Sequence, residues 1–196
     1  MAKLNSKTVD DEDLLIEIKT QFKDAKQHSS DWRAETVESF DFVAGRQWSS
    51  EDEADLDEQG RPVITFNRMG PYFDAISGYE INNRQEIKFK PRTVDDTGQT
   101  DILNAAVKWV LNQTDAQDEE SDAFMDTLVS GYGWMATYMD YETDPDGKIC
   151  MQRVDPLEMY SDPWARKKNL SDATYIQRIQ WKTKREIKDK IGRAHV

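Results

Sequence analysis

Trp134-Met135-Ala136-Thr137-Tyr138-Met139-Asp140-Tyr141 and Lys148-Ile149-Cys150-Met151-Gln152-Arg153-Val154, with Asp144-Pro145-Asp146-Gly147 between them, decide the fold class. The first run is rich in aromatics and the second in apolar residues, and both suit a pleated, half-covered surface. The tetrapeptide between them is a turn. Proline presets one corner, Asp can hydrogen-bond its own backbone, and Gly accepts a left-handed conformation. The stretch therefore predicts an antiparallel hairpin. What precedes it is mostly helical in period, so the expected fold is α+β: mainly helical with a small antiparallel sheet, and incomplete at the C-terminus.

Outward from the hairpin, Asp118 to Ser130 has an acidic first turn that suits the helix dipole, an apolar face of Ala123, Phe124 and Leu128, and a stop at Gly131 and Gly133. Asp101 to Asn112 places Ile102, Ala106, Trp109 and Val110 inward, after a polar turn over Asp95 to Gln99. Arg68 to Asn83 reads as a helix with Asn67 as N-cap and Pro71 in its first turn, where proline is tolerated. At the N-terminus, Leu14, Leu15, Ile18, Phe22 and Ala25 share one face of a helix from Asp11 to His28. A second helix with Ser30 as N-cap carries Trp32, Val37, Phe40 and Val43 and ends at Gly45. The two together read as a helical hairpin. Glu51 to Glu58 reads as a short solvated acidic helix stopped by Gly60.

Pro62 to Phe66 and Glu86 to Pro91 have strand patterns, the second alternating Ile87 and Phe89 against Lys88 and Lys90. Thr174 to Trp181 is expected to be a third strand of the hairpin's sheet, and Lys184 to Lys190 begins another helix. Residues 191–196 match the in-frame translation of a common sequencing adaptor, so the sequence is expected to be an N-terminal fragment. The domain reading is a helical region over residues 1–50, a mixed region over 51–190 and an adaptor-derived tail at 191–196.

The composition limits function. A formal charge of −12 opposes a grip on phosphate backbone and on anionic lipid. Six Trp against a mean hydropathy of −0.84 suggest a core plus a large polar surface, part of it for partners. Apolar runs fall short of a bilayer span. A single Cys150 cannot make an intrachain disulfide.

Signals for chemistry are weak. No P-loop, GxSxG or HExxH occurs, and the histidines are His28 and His195. The carboxylates between Glu51 and Glu58 lack calcium-loop spacing. Gly131-Tyr132-Gly133-Trp134 follows a helix, whereas a phosphate-cradling glycine loop precedes one. No catalytic, cofactor-binding or metal-ligating residue is therefore expected. Basic residues gather late, at Arg166-Lys167-Lys168 and from Lys182 to Lys190.

An ordered set of segments carries a resemblance. It runs through Asp31-Trp32-Arg33, Phe40-Asp41-Phe42-Val43-Ala44-Gly45-Arg46-Gln47-Trp48 and Gly60-Arg61-Pro62-Val63-Ile64-Thr65-Phe66-Asn67-Arg68. It continues through Ile76-Ser77-Gly78-Tyr79, Asn83-Arg84, Ala123-Phe124 and Gly131-Tyr132-Gly133-Trp134. It closes with Tyr160-Ser161-Asp162-Pro163 and Leu170-Ser171-Asp172-Ala173. The chain resembles the portal, or head-to-tail connector, proteins of short-tailed phages of the Salmonella-infecting type. The resemblance implies a structural and non-enzymatic subunit, in a dodecameric ring at the capsid vertex of the virion, assembled in the host cytoplasm. Its implied partners are further copies of itself, terminase, scaffolding proteins and tail adaptors, with DNA threading the channel without sequence-specific binding and no membrane. On that reading Trp32, Phe40, Trp48, Phe73, Trp109, Phe124 and Trp134 build the core of an outer wing, and Gly131, Gly133, Gly147 and Pro163 set turns. A metal-dependent carboxylate hydrolase or nuclease and a non-viral interaction module are the alternatives.

Overall fold

A computed structural model describes residues 11–84, 86–93, 97–142 and 144–193. In order they form α1 (Asp11–His28), α2 (Ser30–Val43), α3 (Ser50–Glu58), α4 (Met69–Asn82), α5 (Thr97–Gln113), α6 (Ala116–Ser130), β1 (Trp134–Asp140), β2 (Lys148–Val154), a 3₁₀ turn (Pro156–Glu158), β3 (Met159–Ser161), β4 (Ile176–Arg178) and α7 (Lys184–Arg193). The fold is α+β and mainly helical, with two antiparallel two-stranded sheets. Asp95, Asp96 and the end of the expected tail, residues 194–196, lie outside the described residues.

By its contacts the chain groups into two compact units, Met1–Arg33 with Leu157–Val196, and Ala34–Pro156. In the second unit β1 and β2 pair in register from Trp134 opposite Val154 to Asp140 opposite Lys148. The turn closes with the Gly147 amide donating to the Asp144 carbonyl at 2.9 Å, and Gly147 takes φ +86. Helix α6 packs on this hairpin, and α4 and α5 pack on α6. The buried face of α6 is Ala116, Ala123, Asp126 and Ser130, the last three at i, i+3, i+7 spacing. Small side chains there let helix and sheet approach closely. In the first unit α1 packs on β3, which pairs with β4 from Met159 opposite Arg178 to Ser161 opposite Ile176.

Three strand expectations fail. Residues 62–66 form no strand, and neither do residues 86–91. Alternation needs a neighbour to become a ladder. Instead, the Phe89 amide and carbonyl bond the side chain of Asn104, which stands where a strand would. The third strand is shorter than expected and belongs to a separate sheet, because its hydrogen-bonding partner is β3, which follows the 3₁₀ turn.

Buried apolar residues in the described chain are few and mostly small: Ala25, Leu56, Ala116, Ala123, Val154 and Pro156. The seven large aromatics expected in a core lie further out. Trp48 is 41% and Trp109 64% exposed, and Trp32, Phe40, Phe73, Phe124 and Trp134 are half-buried. A two-stranded sheet covered by one helix shields a ring on one side at most.

Candidate interaction site

In the first unit, two aspartates from the resemblance segments fasten the ends of one loop. Asp162, 7% exposed, follows β3. Its Oδ1 accepts from the Trp164 amide at 2.9 Å, and its Oδ2 accepts from the Thr174 amide at 3.0 Å and hydroxyl at 2.6 Å. The carboxylate thus joins residues 12 apart in sequence. Half-buried Pro163 sits in the turn this creates, where the Ala165 amide bonds the Asp162 carbonyl at 3.2 Å. Asp172 accepts from the amides of Arg166 at 2.8 Å and Lys167 at 3.2 Å. Leu170 takes φ +52 between them, an uncommon conformation for a bulky side chain.

These bonds have an electrostatic signature. The Thr174 hydroxyl and amide, with the Trp164 amide, hold the Asp162 carboxyl below the usual aspartate range. The Arg166 and Lys167 amides do the same for Asp172. With its backbone tied, the loop presents Arg166, Lys167 and Lys168 exposed, beside Trp164 at 78% exposure. Trp164 rests at a tilt against His28, ring centres 5.8 Å apart, and His28 Nδ1 lies 2.9 Å from the Asp24 carbonyl in the last turn of α1.

The base of the loop is held by α1 and Arg33. Phe22 meets Tyr160 edge to face at 4.8 Å. The Arg33 guanidinium lies 3.7 Å from the Tyr160 ring centre and donates to the Leu157 carbonyl at 2.6 Å and to the Met159 carbonyl. Arg33 also donates to Ser29 Oγ at 3.0 Å. Arg33, in the first turn of α2, thus clamps β3. Tyr175 donates its phenol to the Gln21 carbonyl at 3.1 Å, and burial, with Asp162 and Asp24 nearby, pushes that phenol up.

The resemblance segments of the second unit are anchored in the same manner. Asn67 donates to the Val43 carbonyl at 2.8 Å, and its Oδ1 accepts from the amides of Met69 and Gly70, both at 3.1 Å. One side chain thus closes the end of α2 and the start of α4. The Trp48 indole donates to the Ile64 carbonyl at 3.3 Å, which holds residues 61–66 without a ladder. Arg84 donates to Ser121 Oγ, which in turn donates to Glu80 Oε2 at 2.7 Å, joining α4 to α6. Asp126, 3% exposed, receives two bonds from Arg153, and the Arg153 amide donates to Glu119. Gly131 ends α6 at φ +81, and at Gly133 a Cβ would fall 2.1 Å from Thr127 Oγ1 and 2.2 Å from the Ala123 carbonyl oxygen.

Among the described residues no group of three or more His, Cys, Asp or Glu is placed to hold a metal ion. No described helix is long and apolar enough to cross a membrane. Cys150 is half-buried in β2. An open cleft of the first unit, lined by Glu17, Gln21, Asp24, Asp162, Trp164 and Tyr175, has its central carboxylate committed to Thr174 and Trp164.

The clamps are only partly marked in the sequence. Asp162-Pro163 was legible as a turn opener, since Asp before Pro favours turn initiation. The Thr183–Glu186 capping box of α7 was legible too: the Thr183 amide donates to Glu186 at 2.7 Å, and the Glu186 amide donates back to the Thr183 hydroxyl at 3.3 Å. The reach of Asp172 to Arg166 and of Arg153 to Asp126 had no local signal.

Comparison with known proteins covers the region in which these segments lie. The portal protein of Helicobacter pylori bacteriophage KHP30 is 19% identical over 157 residues, 77% of this chain and 26% of that protein. The chain therefore spans about a quarter of the length of that relative. The family model for phage P22-like portal proteins matches residues 19–196, which takes in both anchored regions, and the chain belongs to that family.

Proposed function

We propose that the chain is the N-terminal part of a portal subunit, a structural component of the ring through which phage DNA enters and leaves the capsid. The observation that carries this reading is the family match across residues 19–196. The clamps support it, because the segments that carry the resemblance fasten backbone. A charge of −12 supports it as well, since a channel that lets DNA slide is better served by weak adhesion.

On this reading the subunit sits at the capsid vertex of the virion, in a ring of twelve copies, after assembly in the host cytoplasm. Terminase docks on it during packaging, and scaffolding proteins and tail adaptors bind it. Exposed aromatics such as Trp109 are then rings that neighbouring polypeptide covers, and the wing core is completed in the assembly. Light scattering and negative-stain microscopy of the full-length protein carrying this sequence test the proposal. Closed rings are the expected result, and a monomer at every concentration contradicts it.

A further inference from the structure

Among the described residues, two oppositely charged surfaces of this chain lack ion-pair partners of their own. One is the loop that Asp162 and Asp172 fasten, with Arg166, Lys167 and Lys168 exposed beside Trp164. Among the described residues none of these cations takes part in an ion pair within 4.0 Å. The other is α3. Its start is capped by the Ser49 hydroxyl, which accepts from the Asp52 amide at 3.1 Å, and Gly60 follows its end at φ +66. At helical spacing Glu51, Asp55 and Glu58 form one stripe, turned away from Leu56, the buried side chain of the helix. None of these carboxylates is in an ion pair among the described residues either. On α6, by contrast, Asp126 and Glu119 are engaged by Arg153, and Asp118 lies 3.9 Å from Arg84.

We infer that the Trp164–Lys168 loop of one copy docks on the α3 stripe of the next copy. The inference rests on the ring reading above and names a contact within it. Copies that each carry a charge of −12 repel one another at long range, so association needs a local match of opposite sign. The loop supplies three cations and the stripe three carboxylates. Both surfaces are held by their own backbone bonds, so little ordering cost attends their meeting. The exposed Trp164 ring supplies the apolar anchor such contacts tend to have. The two patches differ, so the contact is head-to-tail, the kind that closes into a ring.

Charge reversal in the full-length protein tests this contact. One variant carries R166E, K167E and K168E, and the other carries E51K, D55K and E58K. Circular dichroism establishes that each is folded, and the neutral set R166Q, K167Q and K168Q serves if a reversed chain is not. Each reversed variant alone is expected to lose ring-sized particles by at least tenfold in light scattering. An equimolar mixture of the two regains them, because an alternating order sets every reversed loop against a reversed stripe, and every native loop against a native stripe. The neutral set is expected to weaken assembly and to flatten its dependence on salt. Rings that form normally in both reversed variants overturn the contact and leave the portal reading standing. Recovery in a chain carrying all six substitutions without recovery in the mixture also overturns it, since the match would then lie within one chain. A wild-type protein that never forms rings removes both readings together.

Discussion

The side chain of Asn67 donates to the Val43 carbonyl across 2.8 Å while accepting from the amides of Met69 and Gly70. Two helix ends separated by more than 20 residues thus share one amide group. Exchanging Asn67 for Asp keeps the acceptor that caps α4 and loses the donor that closes α2. Exchanging it for Ala loses both. The expected losses of stability are about 1 kcal/mol for Asp and about 2 kcal/mol for Ala. Urea unfolding of the two variants checks the order, and equal effects would mean that the cap on α4 contributes nothing.

The two glycines after α6 answer to different constraints. Gly131 has φ +81 with open space where a Cβ would stand, so Ala there meets backbone strain alone, about 1 kcal/mol. Gly133 has no room: its Cβ would overlap the Ala123 carbonyl oxygen at 2.2 Å, and backbone cannot step aside as a side chain can. Gly133→Ala should therefore cost more, about 3 kcal/mol, by prying β1 away from α6. Adding Thr127→Ala should restore little, because the carbonyl remains. Thermal unfolding of the single and double variants decides this, and a mild Gly133→Ala would contradict the close approach.

Helix periodicity and turn chemistry were readable in the sequence. Helix α1 runs over the range that its Leu14–Ile18–Phe22–Ala25 face marks out, and Asp144 to Gly147 makes the turn that Pro and Gly in that order dictate. Pairing was not readable. Glu86 to Pro91 alternates like a strand, yet Asn104 takes its hydrogen bonds, and no local pattern announces a side chain as a strand's substitute. The candidate interaction site was half legible for the same reason. The order of the segments revealed the family, while the reach of Asp172 to Arg166 depends on the loop having already closed.

Acid should loosen that loop. The folded carboxyls of Asp162 and Asp172 sit below the ordinary aspartate value of about 3.9, so the unfolded loop binds more protons than the folded one in this range. Their contribution is then fully present above that value and fades as pH falls through the lower folded values. In an NMR titration, the Trp164 indole signal, assigned by comparison with Trp164→Phe, should stay constant from pH 8 to about pH 5 and move below about pH 4. Asp162→Asn should shift or remove that transition. A Trp164 signal that stays constant through about pH 4 would contradict this coupling.

Exposure separates folding from assembly among the large aromatics. Trp109 on α5 is 64% exposed, whereas Phe124 is half-buried on α6, the helix on which α4, α5 and the hairpin all pack. Truncating a mostly exposed ring removes little area that folding had taken from water, so Trp109→Ala should change the unfolding free energy of the subunit by no more than about 0.5 kcal/mol. Phe124→Ala should cost about 2 kcal/mol, because part of its ring is withdrawn from solvent among the packed elements. If neighbouring polypeptide covers Trp109 in the ring, its removal acts on association: folded protein with normal urea unfolding, but a higher concentration needed for ring formation. Phe124→Ala should instead lower the yield of folded subunit, with assembly per folded molecule preserved. Urea unfolding paired with light scattering separates the two. An unchanged assembly threshold for Trp109→Ala would mean that this ring faces solvent in the finished particle as well.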